Sequence, residues 1–391
     1  RQLSLSIYQS INSYSLLPLA LFILMGEAMF RSAIGPQMID TIDKLLGRLP
    51  GRLGLVAVAG GTLIATLTGS AAASTAILGS SLTPEMERRG YKKSMSLGPI
   101  LGAGGLAAMI PPSAHAVILA TISDISLGKL LVAIVVPGLT MAAVFITYIV
   151  LRCWLQPSLA PSYEVAAVPW RKKMTLVAKY VLPVGLIIFL VTGVIILGIA
   201  TPSEAAATGT VGVYILIACY RRLSWTVVKR SITDAMRTSG FVLFILAGAV
   251  AYSQILAYTQ ASKHLIELVM GMQMSPILAI VGMHVVALIL GGPLSATAVM
   301  MVTLPIFMPI VRSLGFDPVW FGVGFLINME VSGITPPFGL PLFTMKGVAP
   351  PDTTMGDIFR AAIPFACLDV VVIGLLLAFP PLALWLPNVM R

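Results

Sequence analysis

The chain has 391 residues, 58% of them hydrophobic and only 10% charged, with a formal net charge of +10. Soluble domains carry about 25% charged residues, so this composition excludes an ordinary soluble enzyme and implies an integral membrane protein. Apolar runs long enough for spans of roughly 20 residues recur from Leu16 onward, the pattern of a helical bundle and not of barrel strands.

The basic residues fall in clusters at positions 44–52, 88–93, 171–179 and 221–237. The positive-inside rule accounts for them. Basic stripes flanked by aromatics are absent, so nucleic acid is not an expected partner. Cys153, Cys219 and Cys367 stand singly in or beside apolar runs, without CxxC or histidine spacing, and read as packing residues. No cleavable signal peptide is visible, and the first residue is Arg1.

In chain order, residues 1–15 space Ile7, Tyr8, Ile11 and Tyr14 for one face of an interfacial helix. A first span is predicted from Leu16 to Arg31. Leu53 to Leu67 is too short to cross before the small-residue cluster Gly69 to Thr75, and a second apolar piece leads to Arg88 and Arg89. Both ends of this pair are basic, which predicts a re-entrant hairpin over 53–88. A span over 94–123 follows, interrupted at Gly102 to Gly105 and again at the Ile-Pro-Pro-Ser beginning at Ile110. Leu130 to Leu151 returns to a basic linker, 153–179. Tyr180 to Ala200 crosses again, and Thr201-Pro202-Ser203-Glu204 has the form of a capping box. Val211 to Tyr220 returns, Leu223 to Thr238 lies at the interface, and Ser239 to Ala257 crosses. A second hairpin over 275–312, a second broken span over 318–346 and a last crossing from Ile358 to Leu386 complete the chain.

Two stretches repeat. Ser70, Pro84, Gly90, Pro111 and Pro112 find Ser295, Pro309, Gly315, Pro336 and Pro337 at one constant offset of 225 positions. LFILMG at Leu21 returns as LFILAG at Leu243. The first hairpin is entered between basic ends and the second between nearly neutral ones, so the two copies, 1–152 and 180–391, are expected to be inverted in the membrane.

A backbone opened at bilayer depth exposes N–H and C=O groups that lipid cannot satisfy, so such breaks occur where protein, water or ions fill them. Hydroxyls at Thr68, Ser70, Ser74 and Thr75, with carbonyls of Gly102 to Gly105, form one set of hard oxygen ligands for a small cation. Ser295, Thr297, Ser332 and Thr335 form the second. Half-helix amino termini favour a carboxylate and carboxyl termini favour sodium. Small-residue clusters also let membrane helices pack closely, and Gly98 to Gly102 has GxxxG spacing; duplication of the cluster together with a Pro-Pro break favours a site.

Other signals are weaker. GAGGLA at Gly102 imitates a dinucleotide fingerprint but has neither the preceding strand nor the following acid, and no Walker sequence exists, so no nucleotide is expected. Ser70 with His115 or His284 would suit an intramembrane hydrolase, but that reading leaves the duplication unexplained. His115 is expected to bond a backbone carbonyl beside Pro112. Glu27 and Glu330 are ionisable groups in apolar surroundings and so are candidates for function or for a structural hydrogen bond.

These residues resemble a family, the large membrane subunit of tripartite ATP-independent periplasmic (TRAP) transporters. The likeness spans the chain and rests on LFILMGE at Leu21, TGSAAA at Thr68, PEMERRGY at Pro84, IPPS at Ile110, TPSEAAA at Thr201 and the N-x-E-x-x-x-x-TPP-x-G pattern from Asn328 to Gly339. Where the family usually has asparagine two residues beyond that glycine, this chain has Pro341, and no binding role is assigned there.

The resemblance implies an all-α polytopic protein, an inverted repeat with two re-entrant helical hairpins and two broken transmembrane helices, working as an elevator-type transporter of the ion-transporter superfamily. It implies import of an organic acid, such as a dicarboxylate or sialic acid, across the bacterial inner membrane. Two or more Na+ ions would drive it, with a small membrane subunit and a periplasmic substrate-binding protein as partners. Carried over, Thr68, Gly69, Ser70, Gly102 and Gly105 would hold one sodium, and Gly292, Ser295, Ser332, Gly333 and Thr335 another. The substrate would lie among Ser74, Thr75, Pro112, Ser113, Ser295, Thr297 and Pro337. A stand-alone sodium-coupled carboxylate carrier and, more remotely, an intramembrane hydrolase or scaffold are the alternatives. If the repeats are complete, one or two helices are expected upstream of Arg1.

Overall fold

The computed structural model describes residues 8, 12, 16–46, 49–161, 169–271, 274–337 and 339–389, and every regular element among them is a helix. Most of the predicted amino-terminal arm and residues 162–168 of the linker lie outside the described residues. Five described helices are long and apolar enough to cross a membrane, and two bent pairs raise the number to as many as seven.

Helix α1 (Leu17–Arg31) bends by 74° into α2 (Gly35–Leu45). Next comes α3 (Arg52–Thr68), which stops at Gly69, whose φ of +58° is left-handed, a conformation open to glycine at little cost. Ser70 is extended and starts α4 (Ala71–Arg88), so the first predicted hairpin breaks at Gly69–Ser70. Helix α5 (Lys93–Met109) meets α6 (Ala114–Ser123) at 44° across Pro111 and Pro112, which offer no N–H to continue the ladder. The return predicted over 130–151 is one apolar span, Leu127–Leu155, in which α7 (Leu127–Ala133) passes through the single turn residue Ile134 into α8 (Val135–Leu155).

The remaining chain forms α9 (Trp170–Ile196), α10 (Pro202–Cys219), α11 (Trp225–Tyr258), α12 (Ala261–Gly271), α13 (Pro276–Gly291), α14 (Ala296–Ser313), α15 (Pro318–Ile334), α16 (Leu340–Val348), α17 (Met355–Ala378) and α18 (Pro381–Val389). The predicted capping box is formed: the Thr201 N–H donates to Glu204 Oε2 at 2.8 Å and the Glu204 N–H to Thr201 Oγ1 at 3.4 Å. Helices α4 and α14 both contain 18 residues and α5 and α15 both contain 17, displaced by the same 225 positions as the sequence matches.

Several boundaries differ from expectation. Gly102 to Gly105 do not interrupt α5. An interior glycine costs a helix only about 1 kcal/mol, and here the missing side chains make room for neighbours: a Cβ would lie 2.5 Å from Phe365 at Gly102, 2.3 Å from the Thr75 hydroxyl at Gly104 and 2.9 Å from Glu330 Oε2 at Gly105. The interfacial segment and the crossing predicted over 223–257 are one 34-residue helix, α11, capped by Ser224. The last crossing ends at Ala378, before Pro380 and Pro381, and α18 follows separately. Helices α2 and α12 were not anticipated. Of the cysteines, only Cys153 is buried; Cys219 and Cys367 are exposed.

Lipid is as apolar as leucine, so close packing and buried polar contacts, more than hydrophobicity, hold these helices together. Helix α5 is buried from Met95 to Met109 and touches α3, α4, α15 and α17. Helix α15 is enclosed in the same way by α5, α13 and α17, and Trp320 Nε1 donates to the Leu376 carbonyl at 3.0 Å. Helix α4 packs on α16, with Gly79 beneath Val348, and α14 packs on α6, with Arg312 Nη2 donating to the Ser123 carbonyl at 2.7 Å. Each returning hairpin helix therefore leans on the far half of the other broken pair. Helix α1 packs mainly against α10 and α11, where the Thr210 hydroxyl donates to the Leu21 carbonyl at 3.0 Å, and also touches α3 and α6.

Candidate functional site

Four helices, α4, α6, α14 and α16, begin at one cavity of about 550 Å³, which is within the range of small-molecule sites. Three begin with serine: Ser70, Ser113 and Ser295 accept from the N–H groups of Ala73, Ala116 and Ala298 at 3.3, 3.2 and 3.3 Å. The fourth begins at Gly339 without a side-chain cap. One orphan donor of each serine-capped first turn is thus satisfied and others remain. None of the four first turns carries an acid, so their positive dipole ends face the cavity without an internal counter-charge.

Helix carboxyl termini meet the same space. Thr68 and Gly69 end α3, and Gly69 faces the Pro112 carbonyl, so the first hairpin tip touches the α5–α6 break. Thr68 Oγ1 and Ser74 Oγ lie 2.9 Å apart. At the second tip, Gly291 packs so closely on Ser332 that a Cβ would lie 2.1 Å from its Oγ, and the Ser332 hydroxyl donates to the Asn328 carbonyl at 2.9 Å. The Thr335 hydroxyl donates to the Val331 carbonyl at 2.5 Å. Both hydroxyl oxygens keep lone pairs after donating, so they retain ligand capacity for a hard cation.

Of the residues proposed from the sequence, Thr68, Gly69, Ser70, Ser295, Thr297, Ser332 and Gly333 line the cavity. Ser74 and Thr75 are fully buried behind the first tip. Ser113 is buried at the α5–α6 break with Pro112, while Thr335 and Pro337 lie just past the end of α15 and Gly292 between the lining residues Gly291 and Pro293. Gly102 and Gly105 sit inside α5, packed on Phe365 and on the lining residue Glu330, and do not themselves line the cavity.

Sequence reasoning missed the opposite wall. Phe22, Ile23, Gly26 and Phe30 of α1, with Thr238 and Val242 of α11, complete it, as do Leu340 and Pro341 at the start of α16. The repeated LFILMG was the available signal for α1. Charged groups on the wall are Glu27, 3.8 Å from the Arg31 Nε, and Glu330, only 4% exposed. His115 also lines the cavity, and the backbone bond expected of it is not made. His284 is engaged instead: its carbonyl accepts from Asn328 Nδ2, and its ring stacks at a tilt on Phe321. No group of three metal-binding acids, histidines or cysteines occurs among the described residues.

Comparison with known proteins agrees with this architecture. The chain is 30% identical to the C4-dicarboxylate TRAP transporter large permease protein DctM of Pseudomonas aeruginosa, over 99% of this chain and 90% of that protein. It is 30% identical to the 2,3-diketo-L-gulonate TRAP transporter large permease protein of Escherichia coli, over 94% and 84%. In fold it is similar to the Alcanivorax borkumensis YdaH transporter, with a TM-score of 0.67 at 13% identity, covering 99% of this chain and 89% of that one. Residues 2–382 match the family profile described as "Tripartite ATP-independent periplasmic transporter, DctM component". With broken helices meeting at one cavity and a match along nearly its whole length, the chain belongs to the large membrane subunits of the TRAP transporters, a family of multi-pass transporters and not of enzymes.

Proposed function

We propose that this protein imports an organic acid across the bacterial inner membrane, coupled to Na+, by an elevator movement of the two hairpins and broken helices against the α1, α10 and α11 wall. The observation that carries the reading is the convergence of four helix amino termini on one cavity. Such termini attract a carboxylate, and the helix carboxyl termini and hydroxyls beside them suit Na+. The inverted repeat drawn from the charge pattern supplies the two related arrangements that alternating access needs. A C4-dicarboxylate or a sugar acid is the cargo class, by analogy with the two relatives. A small membrane subunit and a periplasmic binding protein are its partners by family membership.

The test is uptake into proteoliposomes holding this subunit with the small subunit, with succinate and 2,3-diketo-L-gulonate as probes. An inward Na+ gradient should drive accumulation only when the binding protein is added outside. Accumulation without the binding protein would favour the stand-alone carrier. Indifference to Na+ would remove the coupling. Two or more Na+ per monoanion, or three per dianion, move net positive charge, each gaining about 2.3 kcal/mol per 100 mV, so uptake should then respond to an imposed potential.

A further inference from the structure

Among the described residues the cavity wall carries Glu27 and Glu330 and neither lysine nor arginine, although the proposed cargo is an anion. A guanidinium stands just beyond it. Arg31 follows Glu27 by one turn of α1, and Asp234 precedes the lining Thr238 by one turn of α11. Across this gap Arg31 Nη2 donates to Asp234, linking the two helices one turn beyond the lining residues. Among the described residues Arg31 Nε is buried without a hydrogen-bond acceptor: Glu27 Oε2 at 3.8 Å is within ion-pair range but too far for a hydrogen bond. The chain after Arg31 is fixed by Arg222 Nη1, which donates to the Ser32 and Ala33 carbonyls at 3.2 and 3.1 Å.

A clamp between α1 and α11 needs only the Asp234 contact. The guanidinium has two acids in ion-pair range but its Nε makes no hydrogen bond to either, and its planar fork is shaped for a bidentate carboxylate. The Arg31 end of α1 lies beside Arg221 and Arg222, on the basic side that faces the cytoplasm by the positive-inside rule. We infer that Arg31 is a substrate-contacting residue at the cytoplasmic end of the cavity, exchanging Asp234 for the carboxylate of the departing anion. This rests on the proposed function and assigns the position where the anion leaves.

The test is anion exchange by the transporter reconstituted with its small subunit and with the binding protein present at the periplasmic face, with half-saturation measured separately from each face using succinate and 2,3-diketo-L-gulonate. Loss of a charged hydrogen bond corresponds to about a ten- to hundredfold weakening. Arg31→Ala should raise half-saturation by that factor on the cytoplasmic face and leave the other face unchanged. Arg31→Lys, which keeps the charge and loses the fork, should show a smaller rise on the same face, and it carries the test if the alanine variant does not fold. Asp234→Asn, which frees the guanidinium, should lower half-saturation on that face. Equal changes on both faces, or Asp234→Asn and Arg31→Ala losing yield together at constant half-saturation, would reduce Arg31 to a clamp and overturn the inference. If wild-type protein exchanges neither anion, the proposed function fails first and the inference with it.

Discussion

A Cβ on Gly26 would lie 2.3 Å from the Thr68 carbonyl oxygen, so α1 and the first hairpin tip meet backbone to backbone at the cavity edge. If the hairpins slide past α1 during transport, this close contact lies on the sliding surface. Gly248 of α11 holds the matching place in LFILAG, yet nothing lies within 4 Å of a Cβ there.

The two glycines therefore carry opposite expectations. Gly248→Ala should leave transport intact and stabilise the helix by as much as about 1 kcal/mol. Gly26→Ala gains the same helical preference but forces apart two backbones, an overpacking cost of about 1–3 kcal/mol, and should slow Na+-driven uptake at least about tenfold. Thermal unfolding in detergent and initial uptake rates check both. Wild-type transport by Gly26→Ala would show that the contact is not under load.

Gly102 separates packing from ion binding. Its Cβ would lie 2.5 Å from the Phe365 ring, which already packs edge-on against Phe145 at 5.2 Å between centroids. Gly102→Ala should destabilise the protein by about 1–3 kcal/mol through that clash, with the Na+ concentration for half-maximal uptake unchanged. A selective change in Na+ activation at unaltered stability would support instead the sodium role expected from its place in the sequence.

How far the sequence could be read depends on what each break is made of. Pro111-Pro112 and Pro336-Pro337 remove donors wherever they occur, and Gly69 before Ser70 is a helix stop followed by a cap, so these interruptions were legible within a residue or two. A glycine run has two meanings. Gly102 to Gly105 were read as an opened backbone, whereas Phe365, Thr75 and Glu330 fill the space those glycines leave, and only tertiary contact distinguishes the cases. Beyond Glu27 and the repeated LFILMG, the α1 and α11 wall was hidden for the same reason: Phe22, Gly26 and Thr238 become site residues through the neighbour they face, not through their own chemistry.

One ion pair makes a pH prediction outside the membrane helices. In the loop before α17, the Lys93 ammonium bonds Asp352 Oδ2 at 2.8 Å and holds that carboxyl below its ordinary value of 3.8, with Asp357 and Glu87 the other charges nearby. A lowered acid stabilises the folded form above its unfolded value and loses that contribution as pH falls through the folded one. Asp352→Asn should therefore melt slightly lower than wild type at pH 7. The two curves should converge below pH 3.8. A gap that stays constant into acid would mean that Asp352 acts through something other than its charge.

Ser295 can be tested both as a cap and as a ligand, because glycine and alanine divide the two roles. Its hydroxyl oxygen accepts from the Ala298 N–H at 3.3 Å at the start of α14, and its side chain also faces the cavity. As a cap alone, Ser295→Ala should cost about 1 kcal/mol and Ser295→Gly only a few tenths. Transport would then follow stability, with the glycine variant close to wild type. As a ligand, the hydroxyl is lost equally in both, so the two variants should show the same rise in half-saturating Na+ despite their unequal stabilities. Ser70→Ala and Ser70→Gly, at the same place in the first tip, form the parallel pair. The expected outcome is equal loss of Na+ activation within each pair and unequal melting temperatures. Uptake that recovers in the glycine variants would assign both serines to helix capping and leave the cation to the backbone carbonyls.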